Sequence, residues 1–330
     1  MLFIDNGGIT DPRLNLALEE YVLRHRYPGE ECLLFYINEP AIIIGRNQNT
    51  IEEIETRLVQ ERGIHVVRRI SGGGAVYHDL GNLNFSFLAP YERGRFNRYE
   101  HFTRPVIEAL RGLGVPAELS GRNDILADGR KISGNAQFVS GDRMFSHGTL
   151  LLDSDLDLIP TVLTPRPGKI ESKGHKSVRS RVANISEFLA APLAVEEFRG
   201  VLLDGIFGSR NDLPLLELDE ADHEAVRTLA REKYGSWDWN FGHSPPSNVQ
   251  RSRRFPVGEI DARIDVQEGR VAAIRFFGDY FGQADVAELE QRLVGARFER
   301  DAIDTALAPV DIGLYFGDVS RDDLLELICG

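Results

Sequence analysis

Apolar residues at Leu14, Leu18, Tyr21 and Val22 recur every three or four positions and predict an amphipathic helix reaching about Arg26. Thr10-Asp11-Pro12 reads as its start, a capping side chain followed by a proline suited to the first turn. Two apolar runs, Leu33 to Ile37 and Ala41 to Ile44, flank Asn38-Glu39-Pro40 and predict buried strands joined by a turn. Ile51 to Glu61 has a helical pattern, and Val66-Val67 opens a strand that runs into a cluster of glycines. Beyond it, Asn84 to Leu88 reads as a strand and Phe102 to Leu113 as a helix closed by Gly114. A meander follows, from Asp124 to Ala127, through the hairpin turn Asp128-Gly129, into a return strand that carries Lys131. A second turn, Ser140-Gly141-Asp142, leads to a strand from Met144 to Leu152, and helical spacing returns at Val195 to Phe207 and Asp219 to Tyr234.

The polar, proline-containing run Gly242-His243-Ser244-Pro245-Pro246-Ser247-Asn248 is the clearest linker signal. It divides the chain into a large unit over 1–243, a linker over 244–250 and a small unit over 251–330. In the small unit, alternation around Glu259 to Val266 and Val271 to Phe277 predicts a hairpin across Glu268-Gly269, with helices near 284–294 and 321–328. Both units mix helices and strands, so the expected class is α/β of the α+β kind, a mixed sheet with flanking helices plus a small α+β appendage.

Composition narrows the function classes. The 330 residues are 42% hydrophobic and 27% charged, as in ordinary folded proteins. No apolar run approaches the roughly 18 to 20 residues that span a bilayer, and the N-terminus lacks the pattern of a secretion signal. Two distant cysteines, Cys32 and Cys329, fit no metal-ligand spacing, and a reducing cytoplasm is expected. The net charge of −13 argues against generic nucleic-acid binding. One segment breaks that balance: Arg166, Lys169, Lys173, Lys176, Arg179 and Arg181 surround a single Glu171. It reads either as a local site for an anionic partner or as a solvated loop.

Candidate chemistry concentrates in three segments. In Val67-Arg68-Arg69-Ile70-Ser71-Gly72-Gly73-Gly74-Ala75-Val76-Tyr77-His78-Asp79, successive glycines let the backbone approach a ligand and turn N–H groups into an anion-binding nest, and Arg69 adds a guanidinium fork suited to phosphate. The spacing matches neither a P-loop nor a dinucleotide fingerprint. The second segment runs from Gly121-Arg122-Asn123-Asp124 to Lys131-Ile132-Ser133-Gly134-Asn135-Ala136. Strand alternation puts Lys131 and Ser133 on one face, with small residues leaving space beside the lysine. Asp124, across the turn, faces Lys131 or holds a divalent cation. In the third segment, His147-Gly148-Thr149, His147 and Thr149 share a strand face, and the histidine alone reads as structural.

Together these segments closely resemble the lipoate–protein ligase A family. The likeness runs through Arg-Arg-x-Ser-Gly-Gly-Gly-Ala-Val, Gly81-Asn82, residues 121–124, 131–134 and 147–151, Ser172-Lys173-Gly174, residues 177–182 and Ser236 to Gly242, and so covers nearly the whole chain. The resemblance implies a biotin/lipoate ligase-type fold and an enzyme that uses ATP and Mg2+. Such an enzyme activates lipoate, or octanoate, to an acyl-adenylate. The acyl group then passes to a lysine on apo lipoyl domains, in 2-oxo acid dehydrogenase subunits or the glycine-cleavage H protein. It implies adenylate contacts from Arg69, Gly74, Ala75, Val76, Tyr77, Asn123, Lys131 and Ser177. It also implies lipoate contacts from Ser71, Gly72, Gly73, His78, Lys131, Ser133, Gly134, His147 and Gly148. Lys131 would bridge carboxylate and α-phosphate, Asp124 would bind magnesium or act as base, and the basic loop at 169–181 would cover the site. Leu16 or Leu18 would line the slot for the acyl tail, and a monomer is expected. The rival on the same fold, an octanoyl or lipoyl transferase, works through a cysteine near the Lys131 segment, and none lies between Cys32 and Cys329. A non-catalytic lipoate-binding protein is the other alternative, and the Gly-Arg-Gly-Arg pattern of biotin ligases does not occur.

Overall fold

The structure, a computed structural model, describes residues 1–26, 29–92, 94, 96–121, 123–163, 181–242, 248–267, 269–298 and 300–329. Helix α1, Pro12–Tyr21, begins as its cap predicts, because Asp11 accepts from the Arg13 backbone N–H at 2.8 Å and Pro12 occupies the first turn. It continues through one π-helical turn over Val22–Arg26.

Among the described residues, ten strands precede residue 152. They are β1 (Leu2–Ile4), β2 (Cys32–Ile37), β3 (Ala41–Ile44), β4 (His65–Arg68), β5 (Val76–His78), β6 (Asn82–Pro90), β7 (Ala117–Ser120), β8 (Asp124–Ala127), β9 (Arg130–Ser140) and β10 (Arg143–Leu151). A seven-stranded sheet takes the order β1-β2-β6-β10-β9-β8-β7, with only β1 and β2 parallel, and β4-β3-β5 form a small second sheet. One face of the large sheet buries Phe85, Phe87 and Ile125 against the helices Tyr99–Gly112 and Val195–Phe207. The other buries Tyr36, Phe138 and Phe145 against α1, the helix Glu220–Leu229 and Ile43 and Val67 of the small sheet. At about 1.5–3 kcal/mol for each large apolar side chain, burial on both faces holds the layers together. The site lies in the second interface.

The expected helix over 51–61 is two turns, Thr50–Glu53 and Thr56–Glu61, because Ile54 between them forms a bridge to Leu163. The C-terminal unit pairs β11 (Val249–Phe255), β12 (Gly258–Gln267) and β13 (Arg270–Gly278) in an antiparallel sheet under four helices between Val286 and Cys329. It has its own core, built on Ile260, Ile264, Phe276, Leu289 and Phe316. Of the linker expected at 244–250, residues 244–247 lie outside the described residues, and Val249 and Gln250 already pair in β11. Among the described residues no helix is long and apolar enough to cross a membrane.

Candidate active site

Lys131 is the second residue of β9, and a β-bulge sets what stands beside it. Pairing with β8 runs Asp124 to Gly134 and Ile125 to Ser133, then shifts so that Leu126 meets Lys131, which leaves Ile132 as the extra residue. Ser133 therefore joins Ile125 on the core side, fully buried, and Lys131 lies over Gly134 with Asp124. A Cβ on Gly134 would come within 2.8 Å of Lys131 Nζ, so the missing side chain is the space the lysine uses. The ammonium meets Asp124 Oδ1 at 2.7 Å with both side chains about one-third exposed. Lys131 is also held through its backbone, donating to Arg181 O at 2.7 Å and accepting from Ala183 N at 2.9 Å. The end of the basic segment is thus tied to the lysine strand.

From Lys131 inward, the same face of β9 carries Gly134, Ala136 and Phe138, and the facing strand β10 carries Phe145 and His147. Beneath this strip lies a buried polar chain. Glu19 of α1, 1% exposed, takes His147 Nδ1 at 2.9 and 3.2 Å. His147 Nε2 lies 2.8 Å from Ser71 Oγ, which also accepts from Arg69 Nε at 3.0 Å. Arg69 then donates to the carbonyls of Ile43, Gly72 and Gly74 at 3.0, 2.7 and 2.9 Å. A carboxylate, an imidazole, a hydroxyl and a guanidinium in series therefore brace the glycine loop from below. Burial pushes the Arg69 pKa down to about 10, with Glu19 among the charges opposing the shift.

The loop is also clamped from its sides. Arg68, 1% exposed, donates to the carbonyls of Gly45, Arg46 and Gln48, to Thr50 Oγ1, and to Trp239 and Asn240 carbonyls, all between 2.6 and 3.2 Å. Burial and the adjacent Arg69 lower its pKa to about 10. Gly45 packs so closely that a Cβ would sit 1.8 Å from the Gly73 carbonyl, and Gly73 itself has φ of 94°. Over the top come Tyr280 and Phe281 of the C-terminal unit: a Cβ at Gly72 would meet the Tyr280 carbonyl at 2.5 Å, and one at Gly73 the Phe281 ring at 2.9 Å. Gly278 N–H donates to Asn47 O at 2.8 Å, and Arg46 pairs with Asp285 in the same contact. Among the described residues, no acceptor is assigned to the N–H groups of Gly72, Gly73 and Gly74.

Residues 11–207 match the lipoyl protein ligase A/B catalytic domain, and residues 244–328 match the bacterial lipoate protein ligase C-terminus. The chain belongs to the lipoate–protein ligase family. It is 54% identical over 330 residues to lipoate-protein ligase LplJ of Bacillus subtilis, covering 99% of this chain and 100% of that protein. In fold it is similar to P. falciparum LipL1, solved in complex with lipoate, with a TM-score of 0.77 and 23% identity over 99% of this chain and 97% of that one. A lipoate-protein ligase A bound with ATP matches with a TM-score of 0.60 and 31% identity, over 70% of this chain and 94% of that one.

Against this family background, several expected roles change. Arg69 is not an open fork for phosphate, because its donors go to Ser71 and loop carbonyls. Ser133 does not share a face with Lys131, since the bulge turns it to the core, where it accepts from Asn135 Nδ2 at 3.2 Å. Gly148 lies on that core face too, where a Cβ would come within 2.2 Å of Asn135 Oδ1. Asn123 clamps the strand end, donating to Asn135 O at 2.6 Å. Tyr77 turns its ring into the cluster of Ile42 and Ile44, away from the strip, and Val76 faces the opposite cluster. Ser177, and the cover expected from 169–180, lie outside the described residues, and the Arg181 carbonyl accepts from the Lys131 backbone N–H. Leu16 and Leu18 are buried in the cluster with Tyr36 and Phe145.

Glu19 and Asn38 escaped the sequence reading. The available signal was the stripe Asn15, Leu18, Glu19 and Val22, core-facing positions of a helix in which two are polar.

Proposed function

We propose that this chain activates lipoate with ATP to lipoyl-AMP and then transfers the lipoyl group to a lysine of an acceptor lipoyl domain. The observation that carries this reading is the Lys131 ammonium beside Asp124 at the open end of the Gly134–Ala136 strip. A medium-chain acid laid along the strip brings its carboxylate to that ammonium. One carboxylate oxygen attacks the α-phosphorus, and pyrophosphate leaves. Lys131 offsets repulsion between the two anions and stabilises the charge that grows on the phosphoryl oxygens, and the Gly72–Gly74 N–H groups supply further donors. Arg69 acts at one remove, holding those donors in place. The acceptor amine then attacks the acyl carbonyl, an amide forms, and AMP leaves with the amine's proton passed to a base, for which Asp124 is the nearest carboxylate to Lys131.

Among the described residues no group of three metal-binding side chains is assembled. Magnesium suits such a place, since it keeps several waters and binds through one or two carboxylates plus phosphate oxygens. Asp124 is the side chain that would hold it, and the ion would add charge neutralisation at the phosphates. Cys32 is buried in β2 and Cys329 lies in the last helix, so neither stands at Lys131 to form the thioester a transferase needs. Both are free thiols, which suits a cytoplasmic enzyme. The division into a catalytic unit over 1–243 and an accessory unit over 251–330, acting as a monomer, belongs to the same reading. So do lipoyl domains and H protein as acceptors. Lipoate-dependent exchange of labelled pyrophosphate into ATP tests it. Exchange that requires lipoate is expected, and its absence with an intact fold would refute the reading.

A further inference from the structure

Helix α1 turns two neighbouring carboxylates inward. Glu19 takes His147 and so braces Arg69, while Glu20, 4% exposed, begins a separate relay. Glu20 Oε1 accepts from Arg24 Nε and Lys233 Nζ at 2.8 Å, and Oε2 accepts from Lys233 Nζ and Tyr234 Oη at 2.7 Å. Burial raises the pKa of this carboxyl, yet Lys233, Tyr234 and Arg24 outweigh it and hold the group below its ordinary value. Glu20 is therefore ionised at neutral pH. The Lys233 ammonium lies 4.2 Å from the centre of the Trp239 ring, so the same carboxylate also seats that indole.

Tyr234 and Trp239 carry the contact onward to Arg68. Tyr234 O accepts from Asn240 Nδ2 at 2.7 Å, and Asn240 Oδ1 accepts from the Arg68 backbone N–H at 2.8 Å. Trp239 Nε1 donates to Arg68 O at 2.8 Å, and the Trp239 carbonyl accepts from Arg68 Nε. From there Arg68 grips the carbonyls of Gly45, Arg46 and Gln48, and the Arg46 N–H donates to Ser71 O at 2.9 Å. Glu20 and the glycine loop are thus two ends of one series of hydrogen bonds. A charge is needed at the outer end. Arg24 and Arg46 each lie 5.7 Å from the Phe138 ring, and Lys233 feels the repulsion of both. Glu20 is the carboxylate that lets Arg24 and Lys233 stand together, and with them the turn that holds Arg68.

We infer that Glu20 is a positioning residue for the activation step: through Lys233, Tyr234 and Asn240 it sets Arg68, and through Arg68 the place of the Gly72–Gly74 N–H donors. The inference rests on reading the site as an acid-activating ligase. Lipoate-dependent pyrophosphate exchange by the full chain tests it, with wild type, Glu20→Gln and Tyr234→Phe at varied lipoate. The amide keeps the size of the side chain and removes its charge, and Tyr234→Phe removes one hydrogen bond of the relay. Donors drawn off the developing charge weaken the transition state alone, so kcat and kcat/KM should fall together with KM for lipoate unchanged. The expected losses are about tenfold for Glu20→Gln and about threefold for Tyr234→Phe. The amount of lipoyl-AMP formed in a single turnover separates slowed chains from misfolded ones, and about one per chain, formed slowly, is expected. A smaller amount formed at the wild-type rate would show a purely structural Glu20 and overturn the inference. So would an unchanged kcat in both variants, or a raised KM for lipoate as the sole effect. Should Glu20→Gln fail to fold, Tyr234→Phe decides alone. Absent exchange in wild type removes the ligase reading and this inference with it, whereas wild-type exchange with unaltered variants removes only the role of Glu20.

Discussion

His78 is buried on β5 with its Nδ1 3.0 Å from Asn38 Nδ2, and His78→Gln separates the electrostatics of this site from its packing. A histidine in an unfolded chain takes up a proton near pH 6.5, and burial holds the folded imidazole down to about 3. Between those values the unfolded state binds the extra proton, so stability is lost as pH falls from about 6.5 toward 3. At pH 5 the loss works out at about 2 kcal/mol, from RT times the logarithm of the roughly 30-fold protonation of the unfolded imidazole. Glutamine fills a similar volume and does not titrate. Urea unfolding of both proteins at pH 8 and pH 5 measures the difference, read by the fluorescence of Trp237 and Trp239, the two tryptophans of the chain. Both sit on the turn Trp237–Asn240, which Arg68 ties to the 45–50 loop, so the signal reports on the catalytic unit. Wild type should lose about 2 kcal/mol relative to His78→Gln between the two pH values. Parallel stability profiles would show that His78 takes up its proton in the folded protein, and the neutral imidazole would be refuted.

Other expectations follow from the same contacts. Lys131→Met should slow lipoate-dependent pyrophosphate exchange on the order of 10²- to 10³-fold with little change in melting temperature, because the lysine is about one-third exposed and interacts with the developing charge. Gly134→Ala should displace Lys131 Nζ, which lies 2.8 Å from where the new Cβ would stand, and reduce exchange about tenfold at near-normal stability. A fully active Gly134→Ala would show that the lysine does not need that space. Arg68→Met should lower stability by about 3–5 kcal/mol in denaturant melts, since it strands several buried carbonyls from Gly45 to Asn240. A loss under 1 kcal/mol would mean the loops hold without it.

Much of this arrangement was legible before any coordinates. Asp11 and Pro12 announce α1, the turns Asp128-Gly129 and Ser140-Gly141-Asp142 announce the meander, and Lys131 with Asp124 stand out by type. What was not legible depends on pairing between distant segments. The bulge at Ile132 exists because β8 meets β9 in one register, and a single extra residue reverses which side chains accompany Lys131. The adjacent arginines look alike in sequence, yet Arg68 is turned to the 45–50 loop and Arg69 to the glycine loop, a choice made by the strands around them. Two of the three glycines are confined by Tyr280 and Phe281, some 200 residues later in the chain, as well as by the loop's own geometry. Helical spacing of Asn15 and Glu19 carried the buried polar chain in plain view, but polar residues on an apolar stripe are hard to tell from an irregular helix face.

The most direct test of the central claim is the intact mass of an apo lipoyl domain after incubation with this chain, ATP, magnesium and lipoate. A gain of one lipoyl group, dependent on ATP and lost in Lys131→Met, is the predicted result. An unchanged acceptor mass with no lipoyl-AMP formed, from a protein shown to be folded, would contradict the account.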